Sequence, residues 1–479
     1  MSNLQASIVG FDITPSIHPT YGAWGTTPVM TEIDQPLLAR CLALRESDRF
    51  VLWFGLDLCG NSIPEVQAIR MELADELGLT TEQIIWSTSQ THSSPTLPGS
   101  DMPGGSSVTV RGLFDAAFCR QERETFIGHC LNAARKAIAS LQPVRLRSGQ
   151  GYCDSISYNR RSPMPNGGVK FSRDHNEALQ SGKFYDPTIG LVVFEGTDNR
   201  PLGAIFNFCA HPATMINDKW VSPDWVGTAR SEIEAALGDV PAMFVQGLCG
   251  DVNCHHIFGT PAQARATGKR LGKAAVAALP TLTSVRATPL ATAFRTIDIQ
   301  CRPMYTREEA ESELAIRRSF IDDLETDPTA TWFAGVNLPE QFAPANKAAT
   351  VQVQIDYLQE ILRILDAGES VPEKIEFTVG AVRIGDVAAT ILHGENFTAT
   401  GRTIRQRAPF SHLLVCGDSN GQFGYLGDDA EIDRGGYETD SFWKMLYFGG
   451  VRLAPAKGSA NRIIDTAVDL LWELHQGRE

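Results

Sequence analysis

Three observations place this chain in the α/β class. Residues 37–44 and 50–58 are strand-length runs that stay apolar throughout, as strands covered on both faces do. Between the second run and the short β-prone stretch 83–86, residues 63–77 carry apolar side chains at helical spacing, which gives strand, helix, strand. One apolar run after another then opens into a loop of histidine, hydroxyl residues, glycine and proline, the composition expected where strand ends meet a ligand crevice.

The elements follow in order. Residues 6–14 form a first strand that Gly10, Asp12 and Pro15 end in a turn, and a glycine-rich loop through Gly22 and Gly25 follows. The charged turn 45–49 joins the next two strands. After the strand at 83–86, Pro95, Pro98 and Gly99 forbid further regular structure, so the segment from Trp86 to Gly99 reads as a strand end opening into a site loop. Residues 100–116, rich in Gly, Ser and Asp, are expected as a mobile loop over that site, and 123–141 as an amphipathic helix. Strands are expected at 144–148, 191–194 and 202–207, a helix at 224–237, a strand at 242–246 and a helix at 260–278. Next come a strand at 286–300 and helices at 307–323 and 351–365. Strands return at 375–384, 387–392 and 413–416, with helices at 398–407 and 460–474. No linker composition divides the 479 residues, so the expectation is one domain with a helical elaboration at about 300–370.

Composition excludes several classes. A net charge of -14 lacks the clustered Lys and Arg of a nucleic-acid surface, and 43% hydrophobic residues supply a substantial core. The first residues lack a signal peptide's basic start and apolar centre, and no segment is apolar for long enough to span a bilayer. The expectation is a cytoplasmic protein with a small-molecule substrate, no nucleic-acid partner and no stable membrane insertion; homo-oligomers remain open. The ten cysteines show no Cys-x-x-Cys pair, and Cys41, Cys59, Cys130, Cys209 and Cys416 lie inside apolar runs, as buried packing residues do.

Four strand-end loops carry His92, His211, Glu395 and Tyr425. Two imidazoles and a carboxylate are an ordinary hydrolytic zinc set, although each histidine alone more often serves as a hydrogen-bonded structural group. A serine hydrolase is the rival, since Gly417-Asp-Ser-Asn-Gly421 fits the nucleophile-elbow pattern; the Gln-Phe-Gly-Tyr-Leu-Gly that follows Ser419 is poor helix material. Cys254 beside His255 and His256 suggests a thiol nucleophile more weakly, because sequence neighbours rarely face each other.

An ordered set of motifs resembles the neutral or alkaline (non-lysosomal) ceramidases, especially their short bacterial relatives. The set comprises Gly10-Phe-Asp-Ile-Thr-Pro15, Ser89-Gln-Thr-His-Ser-Ser-Pro95 against Thr-His-Thr-His-Ser-Gly-Pro, Asn159-Arg-Arg-Ser-Pro163, Ala210-His-Pro212, Gly250-Asp-Val-Asn253 against Gly-Asp-Val-Ser, and Gly394-Glu-Asn-Phe-Thr-Ala-Thr-Gly-Arg402. The resemblance implies a mixed β-sheet layered between helices, without the family's C-terminal immunoglobulin-like domain. It also implies zinc amidase chemistry, in which metal-activated water attacks an amide carbonyl. On that resemblance His211, Glu395 and Tyr425 are metal ligands and Arg160 contacts substrate.

Two departures shape the expectation. Gln90 stands where the family has its first ligand histidine, and His92 where it has the assisting one. Residues two apart on an extended chain point the same way, so both the ligand and the catalytic role are open to His92. Asn253 replaces a serine; its amide suits donation to an oxyanion, and equally a turn bonded to its own backbone. Asp12, Asp57 and Asp251 are candidates for orienting the histidines. The expectation is therefore a zinc-dependent hydrolase of a small amide or acylated metabolite rather than ceramide, with Arg160 binding a substrate carboxylate. Against it stand catalysis through Ser419 and a ligand-binding protein with a decayed site.

Overall fold

A computed structural model describes residues 4–21, 29–95, 115–216, 218–333, 336–440, 442–443, 446 and 451–477. Its larger sheet runs, edge to edge, through Ala242–Gln246, Pro201–Phe208, Thr188–Gly196, Gln142–Tyr152, Gln5–Asp12, Leu38–Glu46, Arg49–Leu56 and Ile84–Thr88, with Thr283–Val285 added against Gln142–Tyr152. A second sheet orders Leu290–Gln300, Lys374–Ile384, Val387–Ile391 and His412–Cys416.

Both sheets are mixed, and the parallel pairs fall where a helix crosses over. Arg49–Leu56 and Ile84–Thr88 are joined through the helix Ile63–Leu77, Pro201–Phe208 and Ala242–Gln246 through Trp225–Ala236, and Val387–Ile391 and His412–Cys416 through Thr398–Arg407. Parallel neighbours need such a crossover; the remaining neighbours of the two sheets are antiparallel and close by shorter turns or by longer excursions.

The sheets stack face to face. Trp53, Phe194 and Met243 of the larger pack with Val382, Ala389 and Leu414 of the smaller in one buried cluster. Contact is close enough that a Cβ on Gly190 would lie 2.5 Å from Leu414 Cδ2. Helices Ile63–Leu77 and Ala116–Ala139, and then Trp225–Ala236 and Pro261–Ala278, cover the outer face of the larger sheet, while Thr398–Arg407 and Ser459–Gln476 cover the smaller one. The expected layered α/β arrangement is present, as two mixed sheets between helices. Burial on both faces is why so many strands read as unbroken apolar runs.

Several boundaries move for local reasons. The helix expected at 123–141 begins at Ala116 because the Asp115 carboxylate accepts from the Ala117 and Phe118 amides. The helix expected at 351–365 starts at Pro344, a residue suited to a first helical turn. The strand expected at 286–300 begins only at Leu290, after Pro289, which has no amide to donate to a ladder, and a separate short strand, Thr283–Val285, precedes it. The loop expected over the site falls almost wholly on 96–114, and the glycine-rich turn on 22–28, both outside the described residues.

Helices Arg307–Asp323 and Pro344–Ala367 form the helical elaboration around their own cluster of Leu314, Phe320, Ile355 and Ile361. The ribbon between them reaches the strand Val169–Phe171, where Asn337 Oδ1 accepts from the Phe171 amide and Asn337 Nδ2 donates to the Phe171 carbonyl. All ten cysteines are free, nine of them buried. Among the described residues no helix is long and apolar enough to cross a membrane.

Candidate active site

Each crossover delivers its following loop to the same side of the sheets, the carboxyl ends of the parallel strands. Ile84–Thr88 leads to Gln90 and His92, Pro201–Phe208 to His211, Ala242–Gln246 to Asp251 and Asn253, Val387–Ile391 to Glu395, and His412–Cys416 to Asp418 and Tyr425. Backbone bonds knit these loops together: the His92 amide donates to Pro212 O at 3.0 Å, the His211 amide to Val252 O at 3.1 Å and the Gly250 amide to Asn396 O at 3.0 Å. Glycine is required at 250, since a Cβ there would lie 2.4 Å from the Glu395 carbonyl oxygen.

The centre is the contact between His211 and Glu395, with Nε2 2.9 Å from Oε2. His211 Nδ1 lies 2.8 Å from Val252 O, and His92 Nδ1 lies 2.9 Å from Gln90 O. A carbonyl only accepts, so Nδ1 carries the proton in both rings and the lone pair sits on Nε2. Glu395 pairs with Tyr425 across a two-residue parallel ladder, and the rings of His92 and Tyr425 lie 5.5 and 6.5 Å from that of His211.

Arg160 lies against this centre, and internal contacts occupy its guanidinium. Nε donates to Glu438 at 2.7 Å, Nη2 to Gly250 O at 2.7 Å, and Nη1 to Asn253 Oδ1 at 3.0 Å while lying 3.4 Å from His211 Nε2. The arginine is thus buried and ion-paired, and it meets Asn253 and faces His211.

Electrostatics keep both imidazoles neutral. Burial, then the nearby His211, pushes His92 down to about 3, and burial, then Arg160, lowers His211. Burial and then Glu395 raise both the Tyr425 phenol and the Asp418 carboxyl well above their ordinary values, so the phenol keeps its proton. Burial opposes the charge on Arg160, but the carboxylates of Glu438 and Glu395 around it more than offset that cost and hold it cationic.

Fit to a metal turns on the donor set. Among the described residues no three His, Cys, Asp or Glu side chains form a group able to hold a metal ion, so His92, His211 and Glu395 do not assemble as the expected ligand trio. His92 is held through Nδ1 by Gln90 O. Gln90 itself, at φ 63°, turns its carboxamide onto the Cys249 thiol, with Oε1 3.1 Å from Sγ. The His211–Glu395 contact nevertheless sets a lone pair against a carboxylate oxygen at 2.9 Å, an arrangement that calls for a proton or a cation between them. With the Tyr425 ring 6.5 Å from that of His211, this nitrogen and oxygen suit a metal held by fewer imidazoles than the resemblance implied.

The remaining candidates separate clearly. The Asn253 amide directs Oδ1 to Arg160 and Nδ2 toward Tyr158 Oη and Ser172 O, both at 3.5 Å. Of the three aspartates only Asp251 touches the site: it accepts from Thr398 and Asn159, and burial raises it to about 6. Asp12, exposed at the end of its strand, accepts from the Thr14 amide, and Asp57 accepts from both Arg230 Nη atoms. Ser419 Oγ bonds Ser87 Oγ and Gly417 O, each at 2.8 Å, and the next helix begins only at Asp429, so the elbow reading lacks both a base on the hydroxyl and its helix. The Cys254 thiol donates to His256 O and burial pushes it up to about 12, which removes it as a nucleophile.

Sequence reading missed Glu438, which ion-pairs Arg160 and Arg161 together, and the rings of Phe171 and Tyr437 that form an aromatic wall with Tyr425. The adjacent arginines were the available signal, because two buried guanidinium groups demand a carboxylate.

All of this chain superposes on 75% of the neutral ceramidase from Pseudomonas aeruginosa, with a TM-score of 0.67 and 17% sequence identity. The fold is that of neutral ceramidase. A structure of ceramidase complexed with C2 matches similarly, at TM-score 0.68 and 17% identity over all of this chain and 76% of the other. No protein-family model and no curated protein matches the sequence.

Proposed function

We propose that the chain is a hydrolase that cleaves the carbon–nitrogen bond of a small amide or acylated metabolite. The observation that carries this reading is the convergence of His211, Glu395, Tyr425 and Arg160 at the strand ends of a ceramidase fold. His92, neutral and with its lone pair on Nε2, takes a proton from the attacking water and returns it to the departing amine. Its low pKa in the resting site is relieved as negative charge grows on the carbonyl oxygen, because that charge supplies a counter-ion to the imidazolium. Tyr425, held protonated, and the fixed positive charge of Arg160 stabilise the same oxygen. Asn253 is held by Arg160 and belongs to the support of the site.

His211, Glu395 and Tyr425 would hold a zinc ion, which when bound supplies Lewis-acid polarisation of the carbonyl and a more acidic water.

The test is metal analysis of the purified protein together with hydrolysis of a panel of short acyl amides, repeated on His211→Ala. About one zinc per chain and amide turnover, both lost in the variant, are expected. Metal-free protein that hydrolyses no amide after zinc soaking overturns the reading.

A further inference from the structure

Two arginines lie against the ring of Phe171. The guanidinium carbon of Arg160 is 4.8 Å from the ring centre and that of Arg173 is 4.6 Å from it. Arg160 is ion-paired with Glu438, and its neighbour Arg161 with Glu438 and Glu431. Arg173 differs. It donates from Nη2 to the Asn337 carbonyl at 2.9 Å, and among the described residues no carboxylate lies within ion-pairing distance of it. Its other N–H groups meet no protein acceptor among those residues, although the side chain is half-buried. Burial lowers it to about 10, the mark of a cation sheltered from water without a counter-ion in contact.

The surroundings fix this group in place. The ribbon from the helical elaboration holds both Phe171, through Asn337, and Arg173, through the Asn337 carbonyl. Phe171 packs edge-on against Tyr437 at 5.3 Å, and Tyr437 against Tyr425 at 5.8 Å, so the wall that carries Arg173 is continuous with the proposed reaction centre. A guanidinium offers a planar fork that matches the two oxygens of a carboxylate, and aromatic stacking pre-orients it.

We propose that Arg173 sets substrate specificity at this site by pairing with a carboxylate carried on the amide substrate. The substrate class is then an N-acyl amino acid or similar amide acid. This rests on the hydrolase reading for the word substrate, but the binding it describes is separately measurable.

The experiment is calorimetric titration with the N-acetyl, N-butyryl and N-octanoyl derivatives of glycine, each paired with its neutral glycinamide. In at least one pair the acid is expected to bind about tenfold or more tighter, as one charge-assisted pair provides. Arg173→Gln should abolish that preference, and Arg173→Lys, which keeps the charge without the fork, should retain part of it. No preference in any pair, or one that survives Arg173→Gln, overturns the proposal. Preferential binding of the acid with no turnover of any amide would remove the hydrolase reading and leave this one standing. Turnover of acid and amide at equal kcat/KM, with no difference in binding, would do the reverse.

Discussion

The two halves of the site are built differently. In the His211 half, side chains face one another directly: His211 meets Glu395 at 2.9 Å, and Arg160 bridges Glu438, Asn253 and Gly250. In the Gln90 half, the backbone does the turning: Gln90 adopts φ 63°, its carboxamide withdraws to Cys249, and Thr91 and Ser93 are bonded to Ser222. The difference teaches where chemistry and support divide. Charged groups in contact can stabilise a reacting centre, whereas a loop fastened by neutral hydrogen bonds positions one imidazole and excludes water.

The largest effect should come from the charged half. Glu438 is buried and pairs with Arg160 Nε at 2.7 Å and Arg161 Nη1 at 2.5 Å. Glu438→Gln removes the charge from beneath two buried cations, and breaking such a network costs about 3–5 kcal/mol. The urea midpoint should fall accordingly, and amide turnover with it, since Arg160 loses the partner that fixes its direction. Equal stability of the variant and the native chain would mean that the two halves do not differ as described.

The Gln90 half should answer to pH instead. Asp224 accepts from the Met215 and Trp225 amides, caps the helix Trp225–Ala236 and stands two residues after Ser222, the anchor of the Thr91 loop. Burial raises its pKa from 3.8 to about 6. The folded state therefore holds this proton more tightly than the unfolded chain. The cost of ionising Asp224 is absent below about pH 4, grows as pH rises to about 6 and then stays constant, at up to about 3 kcal/mol. Asp224→Asn should remove that slope between pH 4 and 6 in denaturation curves. It should also carry a pH-independent penalty of about 1–3 kcal/mol, because the amide nitrogen cannot accept from both backbone groups. A slope unchanged in the variant would place the titration elsewhere.

How much of this was readable before the structure depends on the range of the interactions. Helices such as Ile63–Leu77 and Arg307–Asp323 have the predicted bounds because Ser62 and Thr306 cap them locally and periodicity fills them. The strand ends carrying His211 and Glu395 were readable because each closes an apolar run with glycine or proline. The ladder that pairs Glu395 with Tyr425 spans two residues and has no period to detect. Withdrawal of Gln90 depends on Cys249, 159 residues away, and the occupation of Arg160 depends on Glu438, 278 residues away, so neither is encoded in any local pattern. Residue type announced the candidates; only the tertiary partners decided which of them are available to a ligand.

The smallest effect is expected at Ser419, and it bears on the comparison because this residue lies beneath the Gln90 half. Its hydroxyl meets Ser87 Oγ, which also receives the Trp53 indole N–H at 2.9 Å, and the Gly417 carbonyl. The nearby His393 approaches through Nδ1 to the Ser419 carbonyl, not to the hydroxyl, so no imidazole is placed to take its proton. Ser419→Ala thus removes two neutral buried hydrogen bonds, each worth about 1 kcal/mol, and should leave amide kcat/KM within about threefold of native. A loss of about a thousandfold or more would make Ser419 the nucleophile and move the reaction from the charged half of the site to the fastened one.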